Sequence, residues 1–298
     1  MNGSKSAESA APADGPLHNS DGTPVVLGEA RAERLARAHG YPYPYPEHSY
    51  LYLDGVPVPL RMTGTEPFAG EVEVDAEWMP VSEHLDRLGI RDAALRPRTS
   101  VLAYGSNRSP SQLERKYGHW REPVVIPVAH GWLRGFDVVY AARLAGYGSV
   151  AATIAPAPHT VCEVSVLWLD EAQLDLMHVT EGLAQSVYGY GVLEDIELTL
   201  DGGGRLDRVH TYVNLDGALV HKGSAVALAT VKAEGRAIPA LDQLSILGRV
   251  RDRIEPDADL ESFVLEHIED EAVRDARCRV LREDAWKFEH PSFTRLAP

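Results

Sequence analysis

Cysteine is scarce in this sequence, with two among 298 residues. Cys162 and Cys278 lie far apart, and neither belongs to a C-x-x-C pair. A disulfide-stapled scaffold and a dithiol redox motif are therefore both excluded. The twelve histidines are scattered without an H-x-H or H-E-x-x-H cluster, so the sequence also predicts that the protein holds no metal.

Positive charge and long apolar runs are also scarce. The chain has 29 Lys and Arg against 44 Asp and Glu, a formal net charge of −15. A chain of this charge is repelled by phosphate backbones and anionic lipids, so neither nucleic acid nor a membrane surface is predicted as a partner. No stretch reaches the ~18 apolar residues of a spanning helix, and residues 1–24 lack the apolar run of a secretion signal. The sequence therefore predicts a cytoplasmic protein.

Apolar and charged residues are present in ordinary globular proportions, 44% and 24%. From residue 99 onward, many short apolar runs follow each other with few helical patterns between them. This order predicts an α+β protein with a mixed sheet or small barrel and flanking helices. We expect a flexible tail at 1–24, an N-terminal extension of short helices and a hairpin at 25–98, a central domain at 99–236, and a helical extension at 237–298.

Glycine and proline mark the predicted turns. The pair Asp54-Gly55 predicts a hairpin over residues 49–61, and the alternating Tyr and Pro residues 41–46 predict extended polyproline II. Separate strands are predicted at 124–128, 136–140, 149–154 and 162–169. The chain from residue 224 onward is predicted to be mostly helical.

The first candidate site is the segment Tyr104-Gly-Ser-Asn-Arg108, between a predicted strand and a predicted helix. Backbone N–H groups at such a turn bind anions, and Gly105 allows a ligand to approach closely. Ser106 and Asn107 add side-chain donors, and Tyr104 adds a phenol. The same turn also fits a purely structural connection.

The helix that follows has a clear start signal. Ser109 suits the N-cap, Pro110 suits the first helical position, and Gln112 completes a capping box. The anion-binding interpretation places a ligand at the mouth of this helix.

Glu181 is the second candidate. On a predicted helix over 171–181, Leu174, Met177, His178 and Glu181 lie on one face. A carboxylate on a buried face in the last helical turn is disfavoured by both burial and the helix dipole, which suits a general acid/base. A glutamate that turns to solvent or pairs with an arginine fits the pattern equally well.

Two other patterns carry no site. The segment 146–151 matches G-x-G-x-x-A, but it leads into a predicted strand rather than a helix, which excludes a dinucleotide site. Ser106 does not lie in a G-x-S-x-G elbow, so a serine-hydrolase signature is absent.

Four pieces of the sequence together resemble one family. The segment Val101-Leu-Ala-Tyr-Gly-Ser-Asn107 resembles the YGSN signature of the γ-glutamylcyclotransferase-like proteins. The segment 148–154, the strand 162–169 and the ending Thr180-Glu-Gly182 follow in the family's order and at similar spacing. The resemblance covers roughly residues 100–215.

The resemblance implies roles for particular residues. Glu181 aligns with the family's catalytic acid/base, and Tyr188 and Tyr212 fall where the family has residues near the substrate. Arg108 departs from the pattern, because the family usually has an apolar residue there, and we expect it to add a second contact to an anionic substrate. The segments 1–98 and 237–298 are additions to the family's fold.

The implied reaction is cyclisation of a small γ-glutamyl amide, in which the α-amine attacks the γ-carbonyl and releases 5-oxoproline and an amine. It needs an anchor for the α-carboxylate, oxyanion donors and one proton shuttle, and no cofactor. An amide hydrolase or transferase on the same fold would use the same shuttle. A binding or assembly protein that has lost turnover is a third alternative, and the sequence leaves the oligomeric state, including a homo-oligomer, open.

Overall fold

A computed structural model describes residues 30–297 of the chain. The predicted tail at 1–24 lies outside these residues, as does the beginning of the N-terminal extension. The described residues contain 3₁₀ turns at Arg91–Ala94 and Ser106–Arg108, and seven α-helices: α1 (Arg31–His39), α2 (Val81–Arg87), α3 (Pro110–Tyr117), α4 (Glu171–Thr180), α5 (Gln243–Ile254), α6 (Leu260–Glu269) and α7 (Glu271–Arg282). None of these helices is long and apolar enough to cross a membrane.

The strands of the described residues are β1 (Tyr50–Leu53), β2 (Val56–Arg61), β3 (Glu71–Val74), β4 (Glu77–Pro80), β5 (Thr99–Ala103), β6 (Val125–Leu144), β7 (Val150–Leu169), β8 (Tyr188–Leu193), β9 (Leu198–Leu200), β10 (Arg205–Leu206), β11 (Val209–Asn214), β12 (Val220–His221), β13 (Ser224–Ala225), β14 (Ala227–Leu228), β15 (Ala233–Glu234), β16 (Ala240–Leu241) and β17 (Phe293–Ala297).

Fifteen of the strands form one large, mostly antiparallel sheet, so the protein is a mixed α+β structure. The main strand order is β17-β8-β11-β5-β7-β6-β1-β2-β3-β4. Within the described residues this path has two ends, β17 and β4, and the sheet does not close into a barrel. Strands from both predicted extensions join the sheet, because β1 pairs with β6 and β17 pairs with β8.

Two long strands replace the four short strands predicted from the glycine and proline positions. β6 and β7 each run for 20 residues and pair with each other along most of their length. The predicted turn in the middle of β6 is a bulge instead, where Gly135 adopts a φ of +85° between Arg134 and Phe136. A bulge bends a strand without ending its ladder, which is why turn residues gave the wrong boundaries.

The chain after residue 224 is also different from the prediction. It continues in short strands as far as β16, and helices begin only at α5. β14 pairs with β6, and β15 pairs with β7, so both long strands recruit this segment as edge partners. The predicted helix is wrong here because unpaired sheet edges bind extended backbone.

In the N-terminal part, the predicted hairpin is confirmed: β1 and β2 pair across Asp54 and Gly55, which have φ values of +43° and +87°. The polyproline prediction is wrong at its start. Tyr43 has a φ of +69°, and its N–H donates to the Gly40 carbonyl at 2.7 Å, which makes a turn. This turn buries the rings of Tyr41 and Tyr43 in the protein.

Alternating residues of the sheet serve two separate cores, as the two-residue period of a strand requires. In β5, Leu102 packs into the core that also contains residues of α1 and α5–α7. Its neighbours Val101 and Ala103 pack into a second core with residues of α3 and α4. The end of β5 is therefore held from both faces, and the loop that follows it starts from a rigid position.

Candidate functional site

A cavity with a volume of about 90 Å³ lies at the end of β5. The structure brings seven of the eight predicted site residues to its wall: Tyr104, Gly105, Ser106, Asn107, Glu181, Tyr188 and Tyr212. These residues come from the loop after β5, the end of α4, and strands β8 and β11. Residues far apart in the sequence thus meet around one small cavity.

Glu181 is positioned by the helix that precedes it. The Asp170 carboxylate accepts a hydrogen bond from the Gln173 N–H at 2.9 Å, and the Gln173 side chain accepts one from the Asp170 N–H. This is the predicted capping box, and it fixes the start of α4. The helix ends at Thr180, and Glu181 is its C-cap with a φ of −89°. The side chain of Glu181 is 14% exposed, and it lines the cavity.

The two oxygens of the Glu181 carboxylate have different surroundings. Oε1 accepts hydrogen bonds from Asn107 Nδ2 at 2.9 Å and from Lys116 Nζ at 2.7 Å. No hydrogen bond within residues 30–297 reaches Oε2. Among the described residues, the carboxylate is therefore oriented through one oxygen only.

Lys116 is a site residue that the sequence analysis missed. Its side chain is 3% exposed, and Nζ also donates to Thr180 Oγ1 at 2.8 Å and contacts Met177 Sδ at 3.1 Å. The signal was present in α3, because Lys116 lies on the same helical face as the buried residues Leu113 and Tyr117. A lysine on an apolar face needs a buried partner, and here the partner is Glu181.

The loop after β5 forms one 3₁₀ turn, Ser106–Arg108. Gly105 precedes it with a φ of −106°, so no left-handed backbone demands a glycine. The constraint is a contact instead: a Cβ at Gly105 would lie 2.5 Å from the hydroxyl oxygen of Tyr41. Tyr41 Oη is itself fixed, since it accepts a hydrogen bond from the Ala152 N–H at 3.0 Å.

The start of α3 differs in one detail from the prediction. Ser109 is the N-cap and Pro110 the first helical residue, but the capping box with Gln112 is not formed. The Ser109 hydroxyl donates to the Pro44 carbonyl at 2.7 Å instead, and it contacts Ser111 Oγ at 3.0 Å. The hydroxyl thereby ties the N-terminal extension to the base of the candidate site.

The predicted tyrosines use their hydroxyl groups to bind protein atoms. Tyr104 donates to the Tyr212 carbonyl at 2.5 Å, and Tyr188 donates to the Ala152 carbonyl at 2.9 Å. Tyr212 Oη lies 2.7 Å from Nδ1 of His178. Burial, together with neighbouring negative charge, raises the pKa of Tyr104 and of Tyr212 far above the usual range of a phenol. These side chains therefore act as neutral phenols.

The N-terminal extension contributes to the wall of the cavity. Arg37 of α1 and Tyr41 line it together with Tyr147, and the Arg37 guanidinium lies 5.3 Å from the centre of the Tyr147 ring. Arg143, which pairs with Asp216 at 3.0 Å, also lines it. Nothing local in the sequence relates residues 37 and 41 to a loop at residue 105, so sequence patterns did not predict these residues as part of the site.

Arg108 does not line the cavity. Its buried guanidinium lies 3.5 Å from the centre of the Tyr45 ring and 3.5 Å from Glu163 Oε2. Successive side chains of a 3₁₀ turn point about 120° apart, so a turn that aims Asn107 at the cavity directs Arg108 elsewhere. Although burial alone would raise the pKa of Glu163, the hydrogen bond from His130 and the charge of Arg108 lower it to about 2.

The described part of the chain contains no cluster of three or more His, Cys, Asp or Glu side chains that could hold a metal ion. The polar groups at the cavity are instead one carboxylate, three cationic side chains and several phenols. This set can bind an anionic ligand and move protons.

No family model and no curated protein sequence matches the chain. Two solved structures show partial similarity. A γ-glutamyl cyclotransferase aligns with 16% identity and a TM-score of 0.31, and an uncharacterized protein from Homo sapiens aligns with 17% identity and a TM-score of 0.32. Each alignment covers 39% of this chain and 66% of the other, slightly less than two thirds of its length. Any functional assignment therefore rests on the geometry of the chain's own residues.

Proposed function

We propose that the protein cyclises a γ-glutamyl amide, forming 5-oxoproline and releasing a free amine, with Glu181 as the general acid/base. One observation carries the proposal: Glu181 and the loop 104–107 line the same cavity, and Asn107 and Lys116 hold one oxygen of the carboxylate, while the other has no hydrogen-bond partner among residues 30–297. A proton shuttle needs this combination of a fixed orientation and one free oxygen.

The charge around the cavity favours a substrate with a carboxylate. Among the described residues, three cationic side chains, Arg37, Lys116 and Arg143, line it with one acidic residue, Glu181. Lys116 pairs with Glu181 and Arg143 pairs with Asp216, so each cation beyond these two ion pairs adds positive charge at the wall. We assign the α-carboxylate of the glutamyl group to the loop after β5, with the backbone N–H groups and the Ser106 hydroxyl as donors. Donors of this loop that the α-carboxylate does not occupy are available to the oxyanion that develops on the γ-carbonyl.

The chemistry needs only orientation and proton transfer. When the α-amine attacks the γ-carbonyl, the new C–N bond closes a five-membered ring and the attacking nitrogen must lose a proton. Oε2 of Glu181 takes this proton and gives it to the departing nitrogen as the amide C–N bond breaks. A small cavity favours the folded conformer of the substrate, and intramolecular reactions gain effective molarities up to ~10⁵–10⁸ M in this way.

Product analysis tests the proposal. The protein is incubated with a panel of γ-glutamyl amides, and the products are identified by mass spectrometry. We expect 5-oxoproline from wild type and a loss of at least ~10² in turnover for Glu181→Gln. Glu171→Gln is the matched control, since Glu171 is an exposed residue at the other end of α4. Free glutamate as the product would indicate hydrolysis, and no product from any amide would refute the proposal.

Calorimetry tests the recognition step separately. A γ-glutamyl compound should bind more tightly than its α-amide analogue, because the analogue has no carboxylate for the loop and the cationic side chains. Ser106→Ala should weaken binding by ~0.5–3 kcal/mol through a lost hydrogen bond. Equal affinities for the two compounds would mean that the loop is only a structural turn.

A further inference from the structure

The proposed reaction moves two protons, and Glu181 accounts for one of them. The α-amine of a γ-glutamyl compound lies next to a free carboxylate and is mostly an ammonium near pH 7, and an ammonium has no lone pair with which to attack. It must lose one proton before the attack and a second one as the ring closes. Because Oε2 can hold only one proton at a time, the first proton is lost either to bulk water before binding or to another acceptor in the complex.

Tyr212 and His178 provide a second proton-carrying pair at the cavity. Tyr212 lines the cavity, and its hydroxyl lies 2.7 Å from Nδ1 of His178. His178 lies one helical turn before Glu181 on α4, and its ring packs edge-on against Tyr190 with 4.6 Å between ring centres. The pair is therefore positioned by the same helix that positions the carboxylate.

The protonation states of the pair fit this role. Burial lowers the pKa of His178, so the imidazole is neutral near pH 7, while burial and the charge of Glu181 raise the pKa of Tyr212. The phenol therefore donates to an unprotonated Nδ1. His178 is half-buried, and Nε2 has no hydrogen-bond partner within the described chain. The groups whose charges or hydrogen bonds reach the pair are Asp175 and Glu181 of α4, Tyr117 of α3, Tyr190 of β8 and Tyr104 after β5.

We propose that Tyr212 and His178 form a relay that takes the first proton from the substrate ammonium and returns it to the leaving amine. The relay rests on the proposed function. In the forward step, the ammonium gives a proton to Tyr212 Oη while the phenol proton passes to His178 Nδ1, which leaves a neutral amine and an imidazolium. After the amide bond breaks, Tyr212 protonates the departing amine and recovers its own proton from His178.

Asp175 and Glu181 partly offset the cost of the intermediate state of this relay. Burial is the largest influence on His178 and lowers its pKa, while both carboxylates act in the direction that stabilises its charged form. The imidazolium is therefore a transient species that forms beside negative charge. Tyr212 touches the substrate in this scheme, whereas His178 acts through Tyr212.

The dependence of kcat/KM on pH tests the relay. Because the relay keeps the first proton in the complex, kcat/KM of wild type should change little between pH 6.5 and 8. Tyr212→Phe and His178→Asn should react only with substrate that is already a neutral amine. Their kcat/KM should rise tenfold per pH unit over this range, lie at least ~10-fold below wild type at pH 7, and approach wild type above the pKa of the amine.

His210→Asn is the matched control. His210 stacks on the same Tyr190 ring, with 5.4 Å between ring centres, and lies on the same strand as Tyr212, but it is not bonded to the Tyr212 hydroxyl. It should keep the flat wild-type profile. Thermal unfolding of each variant shows whether it folds.

Three outcomes would overturn the relay. Variants whose kcat/KM is lowered by the same factor at every pH would show a structural role for the pair. If kcat/KM of wild type itself rises tenfold per pH unit below the pKa of the amine, wild type reacts only with the neutral amine, and the relay is refuted without any variant. If wild type releases no 5-oxoproline at any pH, the proposed function fails and the relay with it, whereas an active wild type with either of the first two results refutes the relay alone.

Discussion

The ion pair between Lys116 and Glu181 predicts that removing either residue has an unequal effect on stability. The Lys116 side chain is 3% exposed, and that of Glu181 is 14% exposed and faces the cavity. Glu181→Gln leaves a buried ammonium without a counter-charge. Lys116→Met leaves a carboxylate that still accepts from Asn107 and can be hydrated from the cavity. The glutamate substitution should therefore be the more destabilising one.

The magnitudes follow from the two burial values. Breaking a buried pair by removing one partner costs ~3–5 kcal/mol, and we expect the lower end for Glu181→Gln because the amide oxygen still accepts hydrogen bonds. For Lys116→Met we expect ~1–3 kcal/mol, the cost of one lost partner. The double variant should cost no more than Lys116→Met alone, which corresponds to a coupling energy of at least the ~3 kcal/mol expected for Glu181→Gln.

Urea unfolding of the four proteins measures this cycle. In thermal unfolding, Glu181→Gln should lower Tm by about 6 °C, at roughly 2 °C per kcal/mol for a chain of this size, and adding Lys116→Met should recover much of the loss. Strict additivity of the two single effects would refute the ion pair as described. The double variant also provides a stably folded protein without the carboxylate, so its activity separates chemistry from folding.

Three further predictions concern other parts of the structure. Gly105→Ala should lower Tm and activity, because the new Cβ would lie 2.5 Å from the Tyr41 hydroxyl. Adding Tyr41→Phe should relieve part of this effect. Equal Tm values for the single and double variants would contradict the contact. Burial alone lowers the pKa of His130, but hydrogen bonds to Asp201 and Glu163 raise it to about 9, above the 6.5 of an unfolded histidine. The stabilisation that His130 contributes is therefore complete below pH 6.5 and is lost as the pH rises through 9. The difference in unfolding free energy between wild type and His130→Phe should shrink across that window. A constant difference would argue against the raised pKa. Because the proposed reaction moves only protons, dialysis against EDTA should leave 5-oxoproline release unchanged, and a loss restored by Zn²⁺ or Mg²⁺ would reveal a metal requirement.

Signals within a few residues of each other were sufficient for two local elements, the start of α4 and the hairpin of β1 and β2. Asp170 and Gln173 determine where α4 begins, since a capping box satisfies backbone donors within one turn. Asp54 and Gly55 determine a hairpin in the same way, because a two-residue turn needs positive φ at both positions. The α+β class also followed from the order of such local elements.

Long-range pairing was beyond the sequence patterns. The sequence around Gly135 predicts a turn, but the structure has a bulge there within the 20-residue strand β6. The neighbouring strand β7 pairs with β6 on either side of the bulge, so the strand continues. The segment after residue 224 joins the sheet for a similar reason, since the edges of β6 and β7 offer unpaired backbone groups. Which backbone groups find each other depends on the whole sheet.

Some residues of the candidate site were also predicted from local sequence patterns, whereas others were found only from the tertiary structure. The sequence alone singled out Glu181 and the loop 104–107, since a carboxylate on an apolar helical face and a glycine-containing turn are local patterns. Only the tertiary structure placed Lys116 beside Glu181, 65 residues away, and turned Arg108 from the cavity toward Glu163. The physical reason is that a buried charge is stable only where the fold supplies an opposite charge or hydrogen bonds, and those partners come from distant parts of the chain.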